Sequence, residues 1–241
     1  MQKDHIYSQK MNEVKPFKFD ENVANVFSDM ISRSVPGYNL IIQMIESLTG
    51  KYIQENSNCY DLGCSLGAAT ISMMQGINKK NVNIFAIDNS KAMINKCRDY
   101  LQIFQSPAEL HIICSDINNI NIVNASIVIM NFTLQFLKPE DRDGIIKKIY
   151  NGLKPGGILI LSEKISFQNM CRQELNDKLH LQFKLQQGYS HLEISQKRNS
   201  LENVLARDNL ETHKKRIESM GFTTFENWFR CYNFVSMLAI K

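Results

Sequence analysis

Short, almost unbroken apolar runs alternate with segments of helical spacing through the middle of the chain. The runs cover residues 83–88, 110–114, 125–130 and 158–161, and an earlier one ends at Leu62. Strands that read as continuous apolar runs are buried on both faces, as in parallel sheets covered by helices. The pattern therefore predicts an α/β fold with a doubly wound, mostly parallel sheet.

Helical spacing also flanks this alternation. Before the first strand, Asp20 is a plausible N-cap, and two helices are predicted from the apolar positions Val23, Val26, Phe27, Met30 and Ile31 and then Ile41, Ile42, Ile45 and Leu48. After strand five, residues 167–205 are rich in helix formers and broken at 188–190, which predicts a helical insertion on the ligand side of the sheet. A helix over 211–220 and strands over 222–229 and 234–240 complete the chain.

The polar start of the chain contrasts with this pattern. Residues 1–18 carry few apolar side chains and include Pro16, so we expect a loose N-terminal arm. Residues 19–241 are then expected to form a single domain, because one core of ordinary size accommodates a chain of this length.

Composition adds limits rather than a function. Apolar residues make up 44% of the chain, and the net charge of +4 comes from basic residues that are spread rather than clustered. This is weak evidence for a nucleic-acid partner, and an ordinary charged surface explains it better. The six cysteines lack paired C-x-x-C spacing, so we expect reduced thiols, no metal site and a cytoplasmic location. We expect neither a membrane span nor a secretory signal.

The candidate chemistry lies where the first two strands end. Gly63 and Gly67 follow the first strand and open a helix, and the second strand ends in Asp88. A glycine turn at a helix N-terminus, with an acid at the next strand tip, is typical of an adenosine site whose acid accepts both ribose hydroxyls. The G-x-G-x-x-G spacing of a dinucleotide site is missing. The alternative is a glycine-containing turn with no ligand, which Asp61 and Asp88 at these positions disfavour.

These motifs resemble those of S-adenosylmethionine-dependent class I methyltransferases over residues 40–240. That resemblance implies a seven-stranded sheet with the last strand antiparallel. A narrower resemblance, to the carboxy-S-adenosyl-L-methionine synthase family, rests on residues 26–31, 33–38, 60–70, 86–90, 131–137, 161–164 and 193–198. Most of its specificity comes from residues 134–137 and the block around Arg198. Departures lie in the N-terminal arm, residues 168–187 and Asn199.

The narrower resemblance implies a homodimer that binds S-adenosylmethionine. Such an enzyme transfers the carboxylate carbon of prephenate to the sulfonium methyl and releases phenylpyruvate. The product, carboxy-S-adenosyl-L-methionine, is the carboxymethyl donor for wobble uridine in tRNA. Prephenate itself supplies the base, so no protein general base is needed. We expect no metal, no membrane association and no direct contact with nucleic acid.

The resemblance also implies roles for particular residues. Gly63, Cys64 and Ser65 would line the methionine part, Asp88 and Asn89 the ribose, and Asp116 and Ile117 the adenine. Asn131 would lie near the sulfonium. Tyr38 and Arg198 would contact the new carboxylate, and in the family this Arg can reach the site from the other subunit.

Two other functions stay open at this point. An ordinary S-adenosylmethionine-dependent methyltransferase, of tRNA or another substrate, would share the fold and the cofactor, since a fold does not determine chemistry. The sequence after strand four begins Asn131-Phe132-Thr133-Leu134 and lacks the Pro-Pro motif that base-methylating enzymes often carry there. This disfavours a base-methylating enzyme. The second alternative is a non-enzymatic protein that binds the cofactor and assists a tRNA-modifying enzyme.

Overall fold

A computed structural model describes residues 2–241 and contains the predicted alternation of strands and helices. The strands are β1 (Ser57–Leu62), β2 (Val82–Asp88), β3 (Glu109–Cys114), β4 (Ala125–Asn131), β5 (Leu153–Lys164), β6 (Thr224–Cys231) and β7 (Phe234–Ile240). The helices are α1 (Glu21–Ser34), α2 (Tyr38–Tyr52), α3 (Ala68–Gly76), α4 (Lys91–Leu101), α5 (Pro139–Gly152), α6 (Met170–Gln186), α7 (His191–Leu201) and α8 (Leu210–Ser219).

All seven strands form one sheet, in the order β3-β2-β1-β4-β5-β7-β6. Neighbouring strands from β3 to β5 are parallel, whereas β7 runs antiparallel to both β5 and β6. This confirms the predicted doubly wound, mostly parallel seven-stranded sheet with its last strand antiparallel. The strand order reverses between β1 and β4, and ligands of such sheets bind beyond the strand ends at that point.

Helices cover both faces of the sheet, and alternate side chains of each strand point to opposite layers. On β4, Ile127 and Ile129 pack in the layer that contains α2, α3 and α4. Val128 and Met130 pack in the layer that contains α5 and α8. Burial on both faces explains why these strands read as continuous apolar runs rather than alternating ones.

Several helices begin at a capping side chain, among them the predicted N-cap Asp20. The Asp20 side chain accepts a hydrogen bond from Val23 N at 3.0 Å and caps α1. Ser90 caps α4 through Met93 N. The insertion contains α6 and α7, and Ser190 opens α7 with a capping box completed by Glu193.

Strand β5 begins earlier than the pattern predicts. Residues 154–157 look like a turn because they contain Pro155 and two glycines, yet β5 already pairs at Leu153. Between Leu153 and Ile158 the register with β4 shifts, and this bulge accommodates Pro155. Gly156, at φ +74°, donates its N–H to the O of Lys241, the residue that follows β7.

The N-terminal arm lacks helix and strand, but the prediction that it is loose is wrong. Asp4, Tyr7 and Phe17 are buried, with 1%, 8% and 8% of their surface exposed. Hydrogen bonds to α7 and α1 hold the arm: Tyr7 contacts Ser200, 193 positions away, and Asp4 contacts Asp29, 25 positions away. Local polarity gave no sign of them.

Two absences apply within residues 2–241. No helix there is long and apolar enough to cross a membrane. The same residues include no cluster of three or more His, Cys, Asp and Glu side chains that could hold a metal ion.

Candidate functional site

The carboxyl ends of β1, β2, β4 and β5 open into a cavity of about 870 Å³ at the reversal of strand order. Helices α1, α6 and α7 and the residues around Phe17 close its other sides. The structure brings every predicted site residue to this cavity: Tyr38, Gly63, Cys64, Ser65, Asp88, Asn89, Asp116, Ile117, Asn131 and Arg198.

The turn between β1 and α3 has an unusual backbone. Gly63 and Gly67 have φ of +85° and +86°, and Ser65 between them has φ +49°. A Cβ at Gly63 would collide with Thr133 Oγ1, so the loop after β4 occupies the space that glycine leaves. Glycine is therefore required at 63 by both the backbone angle and this close approach. The sequence predicted a glycine turn here but not the contact with Thr133.

Asp88 anchors this turn from the tip of β2. Its Oδ2 accepts the Ser65 N–H at 3.0 Å, and its Oδ1 accepts the Ser90 N–H at 2.8 Å. Burial raises the pKa of Asp88, while these two N–H donors oppose the rise. Each carboxylate oxygen can accept a further hydrogen bond, and Asp88 lines the cavity, so it is suited to hydroxyl donors.

Asp61 is a second acid at the cavity, at the end of β1. Thr70 Oγ1–H donates to its Oδ2 at 2.6 Å, whereas its Oδ1 is buried without a hydrogen-bond partner. Burial, with a smaller contribution from the Asp88 carboxylate, raises the pKa of Asp61 to about 7 despite the Thr70 hydrogen bond. A buried acceptor without a partner fits a cavity that receives a polar or cationic ligand.

The tip of β4 carries Asn131, whose Oδ1 is likewise buried without a partner. Phe132 follows at φ +62°, a strained angle for a bulky residue that often marks a functional site. Its ring lies 6.4 Å from that of Tyr38 and 6.0 Å from that of Phe234. Burial and the nearby Asp61 raise the pKa of Tyr38, so its hydroxyl stays protonated. These rings give the centre of the cavity an apolar wall.

The residues after β3 form a short wall at one side. Asp116 caps a single turn of 3-10 helix, Ile117–Asn119, by accepting the Asn118 N–H at 2.8 Å. Ile117 is buried, whereas Asp116 and Asn89 are exposed at the cavity rim. An apolar side chain beside polar rim groups suits a flat, partly polar ring.

A basic wall lines another part of the cavity: Lys164, Lys184, Lys197, Arg198 and Arg207. Burial, together with the charges of Arg207 and Lys184, lowers the pKa of Lys164 to about 7. Burial and Arg198 lower the pKa of Lys184 to about 8. Acids are few on this side: Asp177 lies 3.9 Å from Arg207, and Asp4 lies 3.9 Å from Lys197. Crowded cations with few counter-charges indicate a site for an anion.

His180 lies within the same wall but does not add to its charge. Its Nε2–H donates to Ser34 O at 2.8 Å, and its Nδ1 lies 3.5 Å from Lys164 Nζ. Burial and the Lys164 charge lower the pKa of His180 to about 2, so the ring is neutral. This leaves Nδ1 as an acceptor for the Lys164 ammonium.

Sequence reasoning missed most of the basic wall. Lys164 ends β5, so its position at a strand tip was a signal that could have been used. Lys184 and Arg207 lie in or after the insertion, and no motif distinguishes them from surface cations. Arg198 was the only member singled out, and only through the family resemblance.

Solved structures share this fold. A putative S-adenosyl-L-methionine-dependent methyltransferase from Methanococcus maripaludis matches with a TM-score of 0.60 and 22% identity, covering 96% of this chain and 97% of that one. Human N-acetylserotonin methyltransferase, solved with S-adenosylmethionine, matches with a TM-score of 0.57 and 14% identity, covering 92% of this chain and 55% of that one. The methyltransferase domain family matches residues 60–157. The fold is that of the class I methyltransferases.

The sequence relatives are more specific. A carboxy-S-adenosyl-L-methionine synthase from Shewanella woodyi is 53% identical over 99% of this chain and 98% of that protein. The chain therefore belongs to the carboxy-S-adenosyl-L-methionine synthase family, and it is an enzyme. This confirms the resemblance inferred from residues 26–198. Nothing in the comparisons favours an ordinary methyltransferase or a non-enzymatic binder.

Proposed function

We propose that this enzyme converts S-adenosylmethionine and prephenate to carboxy-S-adenosyl-L-methionine and phenylpyruvate. One observation carries the proposal: a single cavity has acids at one end and a basic wall at another. Asp61, Asp88 and Asp116 lie at or just beyond the ends of β1, β2 and β3, whereas Lys164, at the end of β5, and Lys184 belong to the basic wall. Such a cavity suits a cationic nucleoside beside a carboxylate-bearing second substrate.

The strand tips fit S-adenosylmethionine. Asp88 has free lone pairs for the ribose hydroxyls, and Ile117 offers an apolar contact for adenine. The unpaired oxygens of Asp61 and Asn131 are acceptors beside the part of the cavity assigned to methionine and the sulfonium. Carboxylate and amide oxygens also stabilise positive charge nearby. The residues predicted for the cofactor are thus chemically suited to it, and we propose them as its ligands.

The basic wall fits prephenate, which carries two carboxylates. In the free site, the depressed pKa of Lys164 reflects burial among other cations. A bound carboxylate would offset that repulsion and restore the charged amine. Arg198 presents a planar fork suited to a carboxylate, so we assign it, with Tyr38, to the newly formed carboxylate of the product.

The protein's part in the reaction is positioning and charge stabilisation. Loss of the ring carboxylate and ring hydroxyl turns prephenate into phenylpyruvate; the departing hydroxide takes a proton from the sulfonium methyl, and that carbon captures the carbon dioxide. Prephenate thus supplies both base and carbon. His180 is neutral with its Nε2–H committed to Ser34 O, which agrees with a role outside proton transfer.

The product would act as the carboxymethyl donor for wobble uridine in tRNA. We propose a cytoplasmic homodimer that does not itself bind tRNA. These points rest on the family resemblance. The spread of basic residues along the chain also supports the proposal that the protein does not bind tRNA, since nucleic-acid binders usually concentrate their charge on one face.

The test is the mass of the nucleoside product. Purified protein incubated with S-adenosylmethionine and prephenate should yield a nucleoside heavier than S-adenosylmethionine by one carbon dioxide. Omitting either substrate should abolish it. A demethylated nucleoside with no heavier species would instead support an ordinary methyltransferase.

A further inference from the structure

Helix α7 has two functional faces. Lys197, Arg198 and Leu201 line the cavity. Gln196 and Ser200, one helical turn apart, are buried against the N-terminal arm and do not line the cavity. The arm therefore contacts α7, the helix that carries Arg198, through residues that do not line the cavity.

The amide of Gln196 is committed entirely to the arm. Its Nε2 donates to Tyr7 O and Gln9 O, both at 2.9 Å, and its Oε1 accepts the Met11 N–H at 2.8 Å. Only 5% of the residue is exposed. Both donor hydrogens are used, so the side chain fixes the path of three arm residues.

Ser200 makes a second set of contacts with the arm. Tyr7 Oη–H donates to Ser200 Oγ at 2.9 Å, and Phe17 N–H donates to Ser200 O at 2.8 Å. Ser200 Oγ–H in turn donates to Lys197 O at 2.9 Å. The arm is thus linked through one buried hydroxyl to the backbone beside Arg198.

The start of the arm is fixed to other elements. Asp4 N donates to Asp29 Oδ2 at 2.7 Å, which ties the arm to α1. Tyr189 Oη–H donates to Asp4 Oδ2 at 2.6 Å just before α7 begins. Lys197 Nζ lies 3.9 Å from that same oxygen and donates to Ser34 Oγ at 2.9 Å. Arm, α1 and α7 therefore form one hydrogen-bonded network.

We propose that residues 4–17 form a strap that sets the orientation of α7, and that Gln196 is a positioning residue for Arg198. The inference rests on the proposed function, because Arg198 is assigned there to the product carboxylate. Side chains that touch no ligand would then control selectivity between the carboxylated product and S-adenosylmethionine. Tyr7, Gln196 and Ser200 hold Arg198 at the cavity through the backbone of α7.

The test compares Gln196→Met and Tyr7→Phe with wild type by calorimetry, using S-adenosylmethionine and carboxy-S-adenosyl-L-methionine. Affinity for carboxy-S-adenosyl-L-methionine should fall about three- to tenfold, which is the size of effect that mutations in packed networks have on a distant site. Affinity for S-adenosylmethionine should stay within about twofold. Amide exchange at Met11 and Phe17 should accelerate. Ser195→Ala, on the exposed side of α7, is the matched control and should change none of these values.

An equal loss of affinity for both ligands would contradict the proposal that residues 4–17 orient α7. Unchanged affinities despite faster amide exchange at Met11 would also contradict it. Tyr7→Phe removes one oxygen and decides the question if Gln196→Met does not fold. Wild-type protein is first assayed for formation of the nucleoside that is heavier than S-adenosylmethionine by one carbon dioxide. Failure there contradicts the proposed function, whereas a productive wild type whose variants match Ser195→Ala contradicts the strap alone.

Discussion

At the scale of single residues, the first prediction concerns Asp88, which we propose as the acceptor of the ribose hydroxyls. Replacing it by Ala should weaken S-adenosylmethionine binding about tenfold or more, because hydrogen bonds to charged groups contribute about 1.5–3 kcal/mol each. Calorimetry measures the loss. Asp99→Ala, an exposed acid on α4, is the control and should bind normally. Affinity of Asp88→Ala within twofold of wild type would remove Asp88 from the site.

Lys164 leads to a prediction about pH. Its pKa lies at about 7 and that of Lys184 at about 8, so both amines lose their charge in the free site as pH rises through this range. A carboxylate binds the protonated forms, so KM for prephenate should rise from pH 7 to 9, by up to about tenfold per pH unit for each amine involved. Burial also lowers the pKa of Lys197 in the same wall to about 7, whereas neutral His180 does not titrate in this window.

The control for this profile is Lys164→Met, which should raise KM at pH 7 and flatten its rise with pH. The KM for S-adenosylmethionine should not follow the same curve. A KM for prephenate that is constant from pH 7 to 9 in the wild type would contradict the assignment of these amines to the co-substrate.

At the scale of elements, the turn between β1 and α3 should tolerate no side chain at Gly63. Gly63→Val should lower the free energy of unfolding by about 1–3 kcal/mol and abolish cofactor binding, because φ is +85° and a Cβ would meet Thr133. Chemical denaturation and calorimetry measure both. Gly144→Ala is the matched control: it lies in α5 with no atom within 4 Å of its Cβ position, so it should be neutral or stabilising by about 0.5–1 kcal/mol. A folded Gly63→Val protein with normal binding would refute this account of the turn.

Helix α7 contributes a second prediction at this scale. Arg198→Ala should weaken binding of carboxy-S-adenosyl-L-methionine about 10- to 100-fold, since truncating one partner of a charge pair costs several kcal/mol when the pair is desolvated and less when it is exposed. Binding of S-adenosylmethionine should change little. Arg198→Lys should recover part of the loss, because a charge returns without the planar fork. Comparable effects on both ligands would exclude Arg198 from contact with the carboxylate.

At the scale of the whole molecule, the sequence predicts whatever depends on local pattern. Continuous apolar runs such as residues 125–130 identify buried parallel strands, and strand tips collect Asp61, Asp88 and Asn131 at one edge. Features that depend on contacts between residues far apart in the sequence cannot be predicted from local pattern. Tyr7 meets Ser200 only after folding, Lys184 joins Lys164 only through the packing of α6, and Pro155 is accommodated by a bulge that pairing with β4 creates.

The central claim is that carbon from the co-substrate ends up on the sulfonium methyl of S-adenosylmethionine. Its most direct test uses prephenate carrying ¹³C in the ring carboxylate, followed by mass and NMR analysis of the nucleoside product. The account predicts that the label appears in a new carboxyl group joined to the former methyl carbon, with phenylpyruvate formed in equal amount. An unlabelled carboxyl group, or a label that stays with free carbon dioxide while S-adenosylmethionine is unchanged, would contradict it.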